Sequence, residues 1–192
     1  MKKLIALALV TATAANAATI SYTNYVAWNA NYTADVFIPQ FNPALGNLRS
    51  VVAQAQIIES RTFAGENRGA GDQLFSFNMT NTVTLNIPGA TDPSANVYSS
   101  ITPVRRLTRP FDGVVDYAGA SGFTFPYNTT NSIPVALTSI VPFAGYSVIP
   151  VQVSAAGNLG WSFSTTSFSS YTKDVIEVRI YVSYTFDPAV LN

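Results

Sequence analysis

Read as a sequence of apolar and polar positions, the chain alternates. Ile20 and Tyr22 alternate with Ser21 and Thr23, and Tyr32, Ala34, Val36 and Ile38 with Thr33 and Asp35. Val51, Ala53, Ala55 and Ile57 share one face while Gln54 and Gln56 take the other. Phe75, Phe77, Met79, Val83, Leu85 and Ile87 all occupy odd positions, interrupted only by Asn81, which predicts one long strand or two joined by a bulge near Asn81. Val97–Leu107 reads as a strand broken by Pro103, and Phe111–Gly122 as a short strand closed by a Gly-rich turn. Further runs follow at Ile133–Ile140, Tyr146–Val153 and Leu159–Phe168. The last run is the most regular: Ile176, Val178, Ile180, Val182, Tyr184 and Phe186 alternate with Glu177, Arg179, Tyr181 and Ser183. Period 2 places each such set on one face of a strand.

Turn signals separate these runs. Phe37–Val51 reads as a strand end, a structured turn and a new strand. Pro39 withdraws a ladder donor, Asn42-Pro43 opens a turn, and Gly46-Asn47 tolerate positive φ. Phe41 and Leu45 are expected to pack beneath it. From Arg61 to Asp72 the chain is polar and Gly-rich and reads as a loop. About nine period-2 runs with no 3.6-residue periodicity predict an all-β fold, an antiparallel β-sandwich of jelly-roll or immunoglobulin-like architecture, with a barrel as the alternative. Short, Pro-interrupted runs argue against an outer-membrane barrel.

The first 17 residues read differently. Lys2 and Lys3 precede the apolar run Leu4–Val10, and Ala15-Asn16-Ala17 has the small-x-small form of a signal-peptidase site. The run is too short to span a bilayer, so residues 1–17 are expected to be a removed signal peptide and 18–192 a single β-sandwich domain, without membrane insertion after cleavage. Removing two lysines from ten basic residues leaves eight against ten acidic ones, a formal charge of −2. Nothing basic enough to collect phosphates remains, which argues against nucleic-acid binding.

Composition narrows the chemistry further. The chain has no Cys and no His, which removes disulfides, Ser-His-Asp and Cys-His catalysis, and ordinary zinc or haem sites. A glycosidase-type carboxylate pair could be drawn from Glu59, Glu66, Asp112 and Asp116, but some pair is always available among ten acidic residues. Gly65, Gly69 and Gly71 lack the Lys-Ser/Thr ending of a phosphate loop. No enzyme activity is expected, and no cofactor beyond a calcium ion between Asp112 and Glu66 or Asp72. On a strand, Asp112 and Asp116 would lie about 13 Å apart, too far to share an ion, so turn chemistry around Gly113 is the simpler reading.

Several stretches together resemble the choice-of-anchor E domain of bacterial secreted proteins. They are Ile38-Pro39-Gln40-Phe41-Asn42-Pro43-Ala44-Leu45-Gly46 with Leu48 and Val51, Glu66-Asn67, Thr82-Val83-Thr84-Leu85, Phe111-Asp112-Gly113, Asp116-Tyr117-Ala118-Gly119 and the closing run to Tyr184. The resemblance implies an extracellular, β-rich domain without a defined biochemical activity, one that ordinarily precedes a C-terminal anchor. Only Asp187–Asn192 follows the last run here, without an apolar tail or sorting motif, so release or retention by assembly is expected.

Two functions follow. The first is a secreted structural protein at a bacterial surface or in its matrix, or a filament subunit, self-associating or joining other matrix components. Thr19, Ile20, Ser21, Tyr22 and Thr23 lie in the uncharged, proline-free run Ala18–Asn24, which is suited to β-augmentation of a neighbour's sheet. The alternative is a monomeric carbohydrate-binding or adhesive module that stacks sugars on Trp28, Tyr25 and Tyr32. Here Trp28 is placed in an irregular segment, whereas Trp161 shares parity with Leu159 and Phe163 and is assigned to the core.

Overall fold

A computed structural model describes residues 9–12, 17–29, 31–90, 94–164 and 167–189. Ala15 and Asn16 of the expected cleavage motif, and most of the expected signal peptide, lie outside the described residues. Nine strands are present among the described residues: β1 (Leu9–Ala12), β2 (Ala18–Trp28), β3 (Tyr32–Pro39), β4 (Gly46–Asn67), β5 (Gln73–Asn86), β6 (Ser94–Thr108), β7 (Gly122–Val135), β8 (Val148–Phe163) and β9 (Phe168–Pro188). They form a five-stranded sheet, β1-β2-β9-β4-β7, and a four-stranded sheet, β3-β8-β5-β6, with every pairing antiparallel.

The order has a simple cause. β2 pairs with β9, β3 with β8, β4 with β7 and β5 with β6, as if one long hairpin with its tip between β5 and β6 were rolled over itself. That winding is a jelly roll rather than an immunoglobulin order, and two separate sheets stand where a barrel would have one closed sheet. No helix among the described residues is long and apolar enough to cross a membrane.

Alternation decides what is buried. Ile176, Val178, Ile180, Val182, Tyr184 and Phe186 all point inward from β9 and meet Ala53, Ala55 and Ile57 of β4, Val83 and Leu85 of β5, and Ile87 just beyond it. A second apolar cluster, Phe63, Phe77, Met79 and Ile101, fills the other end, with Trp161 packed against it as its parity requires.

The turn after β3 is one 3-10 turn over Pro43–Leu45. The Asn42 side chain accepts a hydrogen bond from Ala44 N at 2.8 Å, and Pro43 supplies the fixed φ that starts the turn. Gly46 leaves it at φ 144°, and a Cβ there would stand 1.8 Å from the Asp187 carbonyl oxygen, so only glycine fits. Phe41 is buried against Tyr184 and Phe186 as expected, but Leu45 is exposed, because the tight turn carries its side chain outward. The Tyr184 hydroxyl donates to Pro39 O at 2.7 Å, and burial pushes its phenol pKa up. Asn42→Ala is expected to cost about 1 kcal/mol by removing the cap, read as a lower urea midpoint with unchanged slope.

Other expectations are corrected. Arg61–Asn67 is strand, not loop: β4 runs on to Asn67 with Arg61, Phe63, Ala64 and Glu66 buried, and only 68–72 turns. Arg61 buried on one face and Glu66 on the other disguise the alternation. Phe111–Ser121, expected as a strand, is a loop, because Asp112 and Asp116 each accept from the amide two residues on (Val114 and Ala118). β6 runs unbroken through Pro103, and the β5 bulge falls between Phe77 and Met79, not at Asn81. The separate runs expected at Tyr146–Val153 and Leu159–Phe168 are bridged by one strand, β8, over Val148–Phe163, and Phe168 opens β9.

Candidate functional site

β2 pairs with β9 along all eleven residues, from Ala18↔Phe186 to Trp28↔Ile176. Its even positions face between the sheets: Ala18 and Ile20 are buried, Tyr22 meets Tyr184 edge-on, and Asn24 Nδ2 donates to Phe37 O of β3 at 2.7 Å. Its odd positions face out, where the Ser21 and Ser183 hydroxyls lie 2.7 Å apart. Thr19, Ile20, Ser21, Tyr22 and Thr23 therefore belong to the protein's own sheet. On the opposite edge of β2, β1 covers only Ala18–Ser21 (Leu9↔Ser21 to Ala12↔Ala18). Among the described residues, no strand of the sheet lies beside that edge from Tyr22 to Trp28.

Three of the four strands that end the sheets are guarded, the four-residue β1 being the exception. β3 carries exposed Asp35 and ends at Pro39, β6 carries Pro103 with exposed Arg105 and Arg106, and β7 carries exposed Pro126 and Pro134. Charge and missing donors are the usual means of blocking strand addition. β2 has neither charge nor proline in any of its eleven positions.

The calcium candidates are brought near one another but not into a cage. Asp72 is 2.9 Å from Arg109 in an exposed pair, Asp112 closes its own turn, and Glu66 Oε2 accepts from Tyr117 N at 2.7 Å. Glu66 is fully buried, and its Oε1 has no hydrogen-bond partner among the described residues. No group of three or more His, Cys, Asp or Glu side chains among the described residues could hold a metal ion.

The aromatic candidates do not form one platform. Tyr25 is exposed on the outer face of β2. Trp28, expected in an irregular segment, is the last residue of β2 and packs against the main core with its Nε1 buried. Tyr32, exposed at the start of β3, lies 6.2 Å from the Trp28 ring. Parity separates Tyr25 from Trp28, because residues three apart on a strand face opposite ways.

Sequence reasoning missed a polar belt between the two apolar clusters. Arg61, fully buried, stands 3.1 Å from Glu59 and 2.9 Å from Asp174, and its Nη1 donates to Met79 Sδ at 2.7 Å. Asn81 is buried beside it, with neither amide atom hydrogen bonded among the described residues, and Gly157 makes room: a Cβ there would sit 2.3 Å from Asn81 Oδ1. Burial raises the Asp174 pKa above the ordinary carboxylate range against the pull of Arg61, and the Glu59 charge raises it further. Asn81 interrupting an apolar parity was the one visible signal.

No family model matches the chain, and no curated protein matches it. Among solved structures it is similar to the STIV MCP, at 13% identity over 88% of this chain and 49% of that one, with a TM-score of 0.31. It is also similar to the Gx and Gt strains of infectious bursal disease virus, at 12% and 11% identity over 90% of this chain and 37% of those, with TM-scores of 0.19 and 0.18. The chain thus spans about half or less of the length of these structures, and likenesses at such scores support no argument about its role.

Proposed function

We propose that this chain is an exported structural protein, a subunit of a bacterial surface or matrix layer or filament that joins its neighbours by adding strands at the open edge of β2. The observation that carries this reading is the contrast between edges: three are guarded by charge or proline, and β2 is not. The low share of charged residues and the leader-like N-terminus support the same role, as does the resemblance to choice-of-anchor E domains. On this reading no reaction is catalysed, and the polar belt and the Glu66 contact to Tyr117 shape the fold. Electron microscopy of material recovered from the medium and cell surface, with N-terminal sequencing, tests it. Ordered assemblies of a chain beginning at Ala18 are expected. Dispersed single particles, or a chain that stays inside the cell, would overturn the reading.

A further inference from the structure

The strand that lies on the unguarded edge comes from the stretch that export would remove. β1 (Leu9–Ala12) occupies the β2 edge at Ala18–Ser21, and the expected cleavage after Ala17 falls between the two strands. A four-residue strand whose covalent tie is cut has too few ladder bonds to offset the entropy of staying ordered. Processing would then uncover Ala18–Ser21 and leave that edge of β2 open along its eleven residues. β1 itself shows that this edge accepts an antiparallel strand.

Resting on the export reading above, we propose that β1 is a removable cap, and that cutting after Ala17 lets two copies pair β2 to β2, antiparallel, about a two-fold axis at Thr23. The edge is suited to a second copy of itself. Antiparallel pairing centred on Thr23 sets Ala18 opposite Trp28, Ile20 opposite Val26 and Tyr22 opposite Asn24. Partners directly opposite point to the same face. The inward row of each copy would therefore continue the other's core, with small Ala18 beside large Trp28. No like charges meet, whereas two copies of β3 paired the same way would bring the Asp35 carboxylates side by side near the axis. The two four-stranded remainders would fuse into one sheet, β7-β4-β9-β2-β2-β9-β4-β7, a closed isologous contact. The pairing closes on itself, so a larger assembly would join such dimers through other surfaces. Before cleavage the cap would hold the chain back from pairing during transit.

The test uses the full chain with a specific protease site inserted between Ala17 and Ala18, its mass followed by light scattering before and after cutting. A monomer that doubles in mass on cutting is expected. Thr23→Lys places a charge opposite its own copy at the axis, and the cut variant is expected to remain a monomer with an unchanged melting temperature. The processed chain recovered from the medium, with and without Thr23→Lys, provides the same comparison without the leader. A cut chain that stays monomeric, an uncut chain that already dimerises, or a Thr23→Lys variant that dimerises as well as its parent would each overturn the proposal. If cutting yields monomers while exported material forms ordered assemblies, the cap falls and the structural role stands. If the exported material is also dispersed, both fall.

Discussion

Arg61→Met is expected to lower the unfolding free energy by about 3–5 kcal/mol, the cost of leaving buried charge without its counter-ion. Arg61 is the cation that Glu59 and Asp174 share, at 3.1 and 2.9 Å, and its side chain is wholly buried. The loss should reverse when the belt is removed together: Glu59→Leu, Arg61→Met and Asp174→Leu in one chain should come close to the parent or exceed it, since a buried ion pair seldom outweighs its own desolvation. Urea unfolding at neutral pH reads both, and a single-variant loss under about 1 kcal/mol would show the belt to be hydrated and weak. The raised pKa of Asp174 has a sign that can be checked in the parent. The folded state holds this proton more tightly than the unfolded state, so the group's contribution is fully present below its unfolded value and is lost as pH rises through its raised folded value.

Phe63→Ala should cost a similar amount, about 3–5 kcal/mol. Phe63 is completely buried and stacks on Phe77 at 4.7 Å, with Trp161 at 6.2 Å and Phe125 at 6.5 Å around it. It is the centre of the smaller cluster, and the polar belt separates that cluster from the main core, so neighbours have little freedom to close the cavity. The damage should be local as well as global: amide exchange is expected to quicken in β5 and β7 near Phe77 and Phe125 more than around Ile57. Trp161 emission should shift to the red. Equal protection at both ends of the sandwich would show that the two clusters behave as one core.

The β2 edge changes which experiments are informative. Deleting Ala18–Asn24 removes a strand paired with β9 and two buried core side chains, Ala18 and Ile20, so the chain would unfold whether or not it assembles. A single charge at Thr23 leaves the core intact and changes only what can lie beside the strand.

What could be read from the chain was what repeats locally. The closing run Ile176–Phe186 is alternating in sequence and alternately buried in β9, and the Asn42-Pro43 turn has the hydrogen bond its residue types demand. Where alternation carried the charge of Arg61 inward, a strand read as a loop, because a buried ion depends on a partner distant in the chain, here Asp174, more than a hundred residues away. Where Asp112 and Asp116 could fold back on their own amides, a loop read as a strand. By itself the sequence determined the strand content, the turn chemistry and the absence of Cys and His catalysis, because each depends on residues close in the chain or on composition alone. Only the tertiary structure decided the jelly-roll order, the partners of the buried charges and the place of β2 beside an edge without charge or proline. Those depend on which strands meet, and strand pairing is set by contacts between residues distant in sequence that no local pattern encodes.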